Sequence, residues 1–135
     1  TGVQMEVGPV ATEFEQEDIG VTLAKCQRYY YKLVADSAYT TFGRAMANTA
    51  TVSVINPLGE YNMRAVPSLD STAASTFLMQ AGNVNETVSA IAINGHASRQ
   101  SPQLDIINGS TTAGFAGTLM ANNATSSYIA FDAEL

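Results

Sequence analysis

Short apolar segments recur along the chain, each bounded by Gly, Asn, Pro or Ser, a spacing that favours strands over packed helices. The pattern predicts an all-β, antiparallel β-sandwich of jelly-roll-like form, with strands near 2–8, 22–34, 40–47, 50–56, 61–69, 76–81, 87–94, 102–107, 113–120 and 126–134. Val52, Val54 and Asn56 alternate with Ser53 and Ile55 before the turn-forming run Asn56-Pro57-Leu58-Gly59-Glu60. Met63, Ala65 and Pro67 should then face one way, with Arg64, Val66 and Ser68 the other. Pro67 has no N–H for a ladder bond, so this strand should end there or run along an edge. Asn94-Gly95 and Asn108-Gly109 are hairpin signals, and together they suggest a meander.

Leu23, Gln27, Tyr30 and Val34 also fall at helical spacing, so residues 23–34 carry two readings. The run Tyr29-Tyr30-Tyr31 tips the choice toward a strand, because aromatic side chains fit a pleated surface better than a helix. Cys26 is then expected to pack as a small hydrophobe within that strand. A single Cys excludes an intrachain disulfide framework.

Composition narrows the function more than the fold. At 135 residues the chain is long enough to fold around a core of its own. Only 13% of residues are charged, while Ala, Ser, Thr, Asn and Gly are abundant, which suits a surface of hydroxyl and amide groups able to hydrogen-bond sugars. The net charge of −6 provides no basic footprint for nucleic acid. Glu6, Glu13, Glu15, Glu17 and Asp18 precede the first Lys or Arg and are read as a solvated connector. No apolar run approaches the roughly 20 residues of a membrane-spanning helix, so membrane insertion is not expected.

Three stretches are more specific: Cys26-Gln27-Arg28-Tyr29-Tyr30-Tyr31, Asn62-Met63-Arg64-Ala65-Val66-Pro67 and the terminal Ile129-Ala130-Phe131-Asp132-Ala133-Glu134-Leu135. Together with Val3-Gln4-Met5-Glu6-Val7-Gly8 and Ala11-Thr12-Glu13-Phe14-Glu15, they resemble the C-terminal region of tailed-bacteriophage tail fibres and related virion appendages. Met5 stands where that pattern usually has Leu, and Glu13 where Pro is more usual. The resemblance does not extend over residues 71–125. It implies a virion protein, assembled in the bacterial host cytoplasm, that contacts other virion proteins and forms a homotrimer. It also implies that residues 1–20 are a linker or the closing strand of an upstream module, that residues 21–135 are a C-terminal sandwich domain, and that the chain is a fragment lacking a longer N-terminal part, the alternative being a small virion protein that lost its initial residues. Within its motifs Cys26, Arg28, Tyr30, Met63, Arg64, Pro67 and Glu134 are expected to be structural. Arg28, Arg64 and Glu134 would form a partly buried charge network, whose disruption by Arg64→Ala would cost about 3–5 kcal/mol.

Candidate chemistry is sparse. His96, the only histidine, could be assembled with Ser98 and Asp105 into a hydrolase triad, but no nucleophile-elbow signature accompanies them. One His and one Cys do not make a zinc site, and Asn83-Val84-Asn85-Glu86 lacks the acidic spacing of a calcium loop. Glycosidase carboxylates cannot be paired from linear sequence, and the long repeats of polysaccharide-degrading β-helices are missing here. Neither catalysis nor a cofactor or metal is expected. Tyr39 and Tyr61 lie beside expected turns and offer a ring face with a hydroxyl. With Asn83, Asn85, His96 and Arg99 they form the candidate set for a bacterial surface glycan. A capsid-decoration or head-fibre role is the alternative, and it would show as an apolar patch facing the capsid.

Overall fold

The computed structural model describes residues 5, 7–10, 13, 17–82 and 84–134. Among these residues it contains one α-helix, α1 (Ile19–Gln27), a short 3-10 turn at Ala74–Thr76, and ten strands: β1 (Tyr30–Val34), β2 (Thr41–Ala47), β3 (Val52–Pro57), β4 (Ser68–Ser71), β5 (Phe77–Ala81), β6 (Val84–Thr87), β7 (Ala90–Ile93), β8 (Leu104–Ile107), β9 (Ala116–Ala121) and β10 (Tyr128–Asp132). Every strand pair is antiparallel. Three strands form one sheet in the order β1-β10-β4, and seven form another in the order β6-β5-β9-β2-β3-β8-β7. The expected all-β antiparallel sandwich is therefore present.

The larger sheet curls until its two edges are one piece of chain. Val84–Thr87 pairs with β5, and Ala90–Ile93 pairs with β8 at the far end of the strand order. Between them Val88 donates its N–H to Phe77 and Ser89 donates to Ile107, so the pairing passes from one edge to the other within two residues. β6 and β7 remain edge strands, each paired along one side only, so the sheet is a curled half-barrel rather than a closed one.

Alternation along the strands places Phe42, Ile55, Phe77, Met79, Leu104, Ile106 and Leu119 of the large sheet, with Ile129 and Phe131 of β10, in one buried core. Phe42 and Phe77 meet edge to face at 5.2 Å between ring centroids, as does Phe131 with Tyr61 at 5.5 Å. A bulge at Thr41 to Gly43 shifts the β2–β9 register, and consecutive Phe42 and Gly43 are both buried there.

Several expectations need correction. Residues 22–34 are not one strand. Asp18 caps α1 by accepting a hydrogen bond from the Gly20 N–H at 2.8 Å, the helical spacing holds as far as Gln27, and the aromatic run turns extended only from Tyr30. Cys26 thus lies exposed on the helix rather than buried in a strand. We expect it to react with a thiol reagent in the folded protein as fast as after denaturation; protection until unfolding would contradict this placement. Tyr30 is likewise exposed on the outer face of β1, while its neighbour Tyr31 packs inward.

The segment expected as a strand over 61–69 is irregular until β4 begins at Ser68, although Met63 and Pro67 are buried and Arg64 and Val66 exposed as the alternation required. The strand expected over 87–94 is divided between β6 and β7. Asn94-Gly95 does not make a two-residue hairpin: residues 94–103 form a longer loop between β7 and β8, closed by Asn94 N–H to Gln103 O at 2.9 Å. The Asn94 side chain is occupied within the loop, accepting from His96 N–H and donating to Asp105 Oδ1. Asn108-Gly109 joins β8 to β9, which are not neighbours, so no meander forms. Asn108 is buried instead and donates its amide to Ser53 Oγ at 3.3 Å. The strand expected over 2–8 falls mostly outside the described residues; Met5, Val7 and Gly8 are not in a strand.

Candidate functional site

Three separate chain segments converge beside α1. The C-terminal end of the helix delivers Lys25, Gln27 and Arg28, the irregular connection after β3 delivers Glu60, Tyr61, Asn62 and Met63, and the β7–β8 loop delivers Ser98, Arg99 and Gln100. Main-chain bonds hold them together. Arg64 N–H donates to Arg28 O at 2.8 Å and Met63 N–H to Arg99 O at 3.1 Å, so residues 62–64 bridge the helix end to the loop.

The result is a cleft with two compartments. The narrower, about 230 Å³, is lined by Arg28, Asn62, Met63, Ser98, Arg99 and Gln100. The wider, about 630 Å³, shares Arg28, Asn62 and Gln100 and adds Lys25, Glu60 and Tyr61 with apolar Val21 and Ala24. Such volumes lie near the roughly 300–1,000 Å³ range of small-ligand clefts.

Tyr61 forms part of the wall while its polar end is used internally. Its hydroxyl donates to Leu58 O at 2.8 Å, and its ring packs edge to face on Tyr31 at 4.9 Å. Burial, with Tyr31 nearby, drives its phenol well above the ordinary tyrosine value, so it stays neutral.

Charge is distributed unevenly. Of the chain's six Lys and Arg residues, Arg28, Arg64 and Arg99 gather at or beside this cleft, and among the described residues none of them is in an ion pair. Lys25 pairs with Glu17. The charge network expected among Arg28, Arg64 and Glu134 is thus not formed: all three are exposed, Arg64 lies 5.6 Å from the Tyr29 ring, and Glu134 donates its N–H to Asp132 Oδ1. The 3–5 kcal/mol penalty for breaking a buried network does not apply to exposed side chains.

Of the residues singled out as ligand candidates, Tyr61 and Arg99 line the cleft. His96 is exposed on the same loop but is not part of the lining. Tyr39 is 58% exposed in the turn between β1 and β2, Asn85 is exposed on β6, and Asn83 lies outside the described residues. Arg28 and Asn62 were legible as motif residues but not as cleft residues, because their convergence depends on topology. Ser98 had a signal only as a partner of His96 and Asp105 in a hydrolase triad, and Gln100 had none beyond a polar loop. Among the described residues no cluster of His, Cys, Asp and Glu is suited to a metal ion, and no helix is long and apolar enough to cross a membrane.

A second polar surface lies on the outer face of the three-stranded sheet. Ala130 pairs with Lys32 on one side and Asp70 on the other. The Lys32 ammonium sits 3.8 Å from the Tyr128 ring centre, and the Tyr128 hydroxyl donates to Asp70 Oδ2 at 3.3 Å. The Asp70 charge raises the Tyr128 phenol above its ordinary value, with lesser contributions from desolvation and the hydrogen bond. A pKa raised in the folded state favours folding below the unfolded value, and this contribution is lost as pH rises through the folded one. Asp70→Asn should move the Tyr128 ionisation midpoint down toward that of free tyrosine, as read by NMR of ring-labelled protein; an unchanged midpoint would remove Asp70 as the cause.

Comparison with protein-family models, curated proteins and solved structures found no match.

Proposed function

We propose that this domain belongs to a bacteriophage virion appendage, as a tail-fibre domain that recognises a bacterial surface glycan without catalysing a reaction. The observation that carries the ligand-binding part is the cleft itself: guanidinium, amide, hydroxyl and tyrosine groups brought together from three segments and fixed by main-chain bonds. Such groups hydrogen-bond sugar hydroxyls, and the ring of Tyr61 supplies an apolar wall. The virion context rests on the Cys26–Tyr31, Asn62–Pro67 and C-terminal motifs. Assembly in the host cytoplasm, contacts with other virion proteins and a homotrimer belong to the same reading. Trimerisation would matter energetically, because simultaneous engagement of weak sites gains about 10²–10⁴ in avidity.

The test is binding of the multimerised domain to an array of bacterial surface polysaccharides. Retention of particular polysaccharides, lost when Arg99 or Asn62 is replaced by Ala, is the expected result. Failure to retain any across diverse bacterial surfaces would overturn glycan recognition.

One observation favours the alternative of capsid decoration or a head fibre. No residue of α1 is buried, and Ile19, Val21 and Leu23 are exposed alongside Val7 and Val10. Exposed apolar side chains on a helix with no buried residue suit attachment to another protein surface. Co-sedimentation of the domain with undecorated capsids, abolished by Ile19→Ser with Leu23→Ser, would support this role; its absence would remove it.

A further inference from the structure

We propose that the narrower compartment is a carboxylate-binding subsite and that the saccharide taken by the cleft is acidic, carrying a hexuronate. This inference rests on the glycan-recognition reading above and specifies the chemistry of its ligand.

Arg28 and Arg99 both line this compartment, and among the described residues neither is in an ion pair, although the chain carries a net charge of −6. A planar guanidinium matches a carboxylate with two parallel N–H···O bonds, and charge-assisted bonds are stronger than neutral ones. Two arginines outside any ion pair among the described residues, both lining one small polar cavity, therefore favour an anionic group over a neutral hydroxyl. Both arginines are tied through main-chain bonds to residues 63 and 64, so their backbones are positioned before ligand arrives and less ordering accompanies binding. Asn62, Ser98 and Gln100 offer amide and hydroxyl groups for the ring hydroxyls of the same sugar.

The adjoining compartment has a different character. Glu60 and Lys25 both line it, together with Tyr61, Val21 and Ala24, and Lys25 already pairs with Glu17. Arg28 lines both compartments, so with its guanidinium engaged by the first carboxylate a second acidic sugar would face Glu60 with no further cation outside an ion pair. The flanking residue of the saccharide is accordingly neutral, stacked against the apolar wall. Nucleic acid, also anionic, is disfavoured because the rest of the chain is acidic and a long phosphate backbone would extend beyond this local patch.

The experiment titrates isotope-labelled protein with sodium D-glucuronate and D-galacturonate, with D-glucose and D-galactose as neutral partners, following backbone amides by NMR. The expected result is that at least one uronate shifts the amides of Arg28, Asn62 and Gln100 while its neutral parent does not, and that added salt weakens the effect. Arg28→Ala and Arg99→Ala, each with an unchanged melting temperature, should weaken uronate binding about tenfold or more, with partial recovery in Arg99→Lys; Arg44→Ala, on β2, should leave it unchanged. A hyaluronan tetrasaccharide, alternating acidic and neutral residues, should bind more tightly than a tetrasaccharide of galacturonate alone, and the reverse order would overturn the neutral flanking position. Uronates that leave these amides unmoved, or bind no better than their neutral parents, overturn the carboxylate subsite. In that event, retention of neutral polysaccharides on the array would leave glycan recognition standing, whereas retention of none would remove both.

Discussion

Replacing Phe131 with alanine is expected to lower the unfolding free energy by about 3–5 kcal/mol, measured by equilibrium denaturation in urea. Phe131 is fully buried on β10, the central strand of the three-stranded sheet, and packs against Tyr61. Its removal takes away packing from the buried cluster that both sheets contribute to and from the Tyr61 wall of the cleft. The neighbours cannot collapse easily into the gap, because Tyr61 is held by its hydroxyl bond to Leu58 O and by Tyr31. Against a typical domain stability of about 5–15 kcal/mol, such a loss would leave the variant marginal or unfolded. A cost below about 1 kcal/mol would mean that the two sheets do not share the core described.

Gly43→Ala should cost about 1–3 kcal/mol in the same assay. Gly43 pairs with Pro57 at the β2 bulge, and a Cβ built there would lie 2.7 Å from Asn56 O and 3.0 Å from Pro57 Cα. Both are backbone atoms of the partner strand, so relief requires the strands to separate rather than a side chain to rotate. Gly95 provides the control, since a Cβ there meets nothing within 4 Å, and Gly95→Ala should stay within about 0.5 kcal/mol. Equal effects at the two positions would contradict the bulge geometry.

The strands β2, β3, β5, β8 and β9 are legible because alternation marks a buried face in each, and β10 because its apolar run Ile129–Phe131, buried whole, is too short for a helix. The helix was not, since its own spacing ran directly into the tyrosine triplet and the two signals belong to different halves of one segment. Nor could alternation reveal that Val84–Ile93 serves two edges of one sheet, because period-two patterning says which face a residue occupies and nothing about its neighbours. Asn94-Gly95 misled for a related reason: the Asn94 side chain closes a longer loop through Asp105 and His96, and that loop carries Arg99 into the cleft. Tyr61 and Arg99 were identifiable from their setting beside turns. The motif resemblance places Arg28 in a partly buried charge network, whereas it lies at the helix end and in solvent.

Immunogold labelling of intact virus particles, with an antibody raised against the folded domain, tests the proposed role most directly. Gold on tail fibres or at the tail tip is the predicted result. Gold confined to the capsid would contradict the tail-fibre assignment in favour of decoration, and particles that carry none of the protein would contradict a virion role altogether.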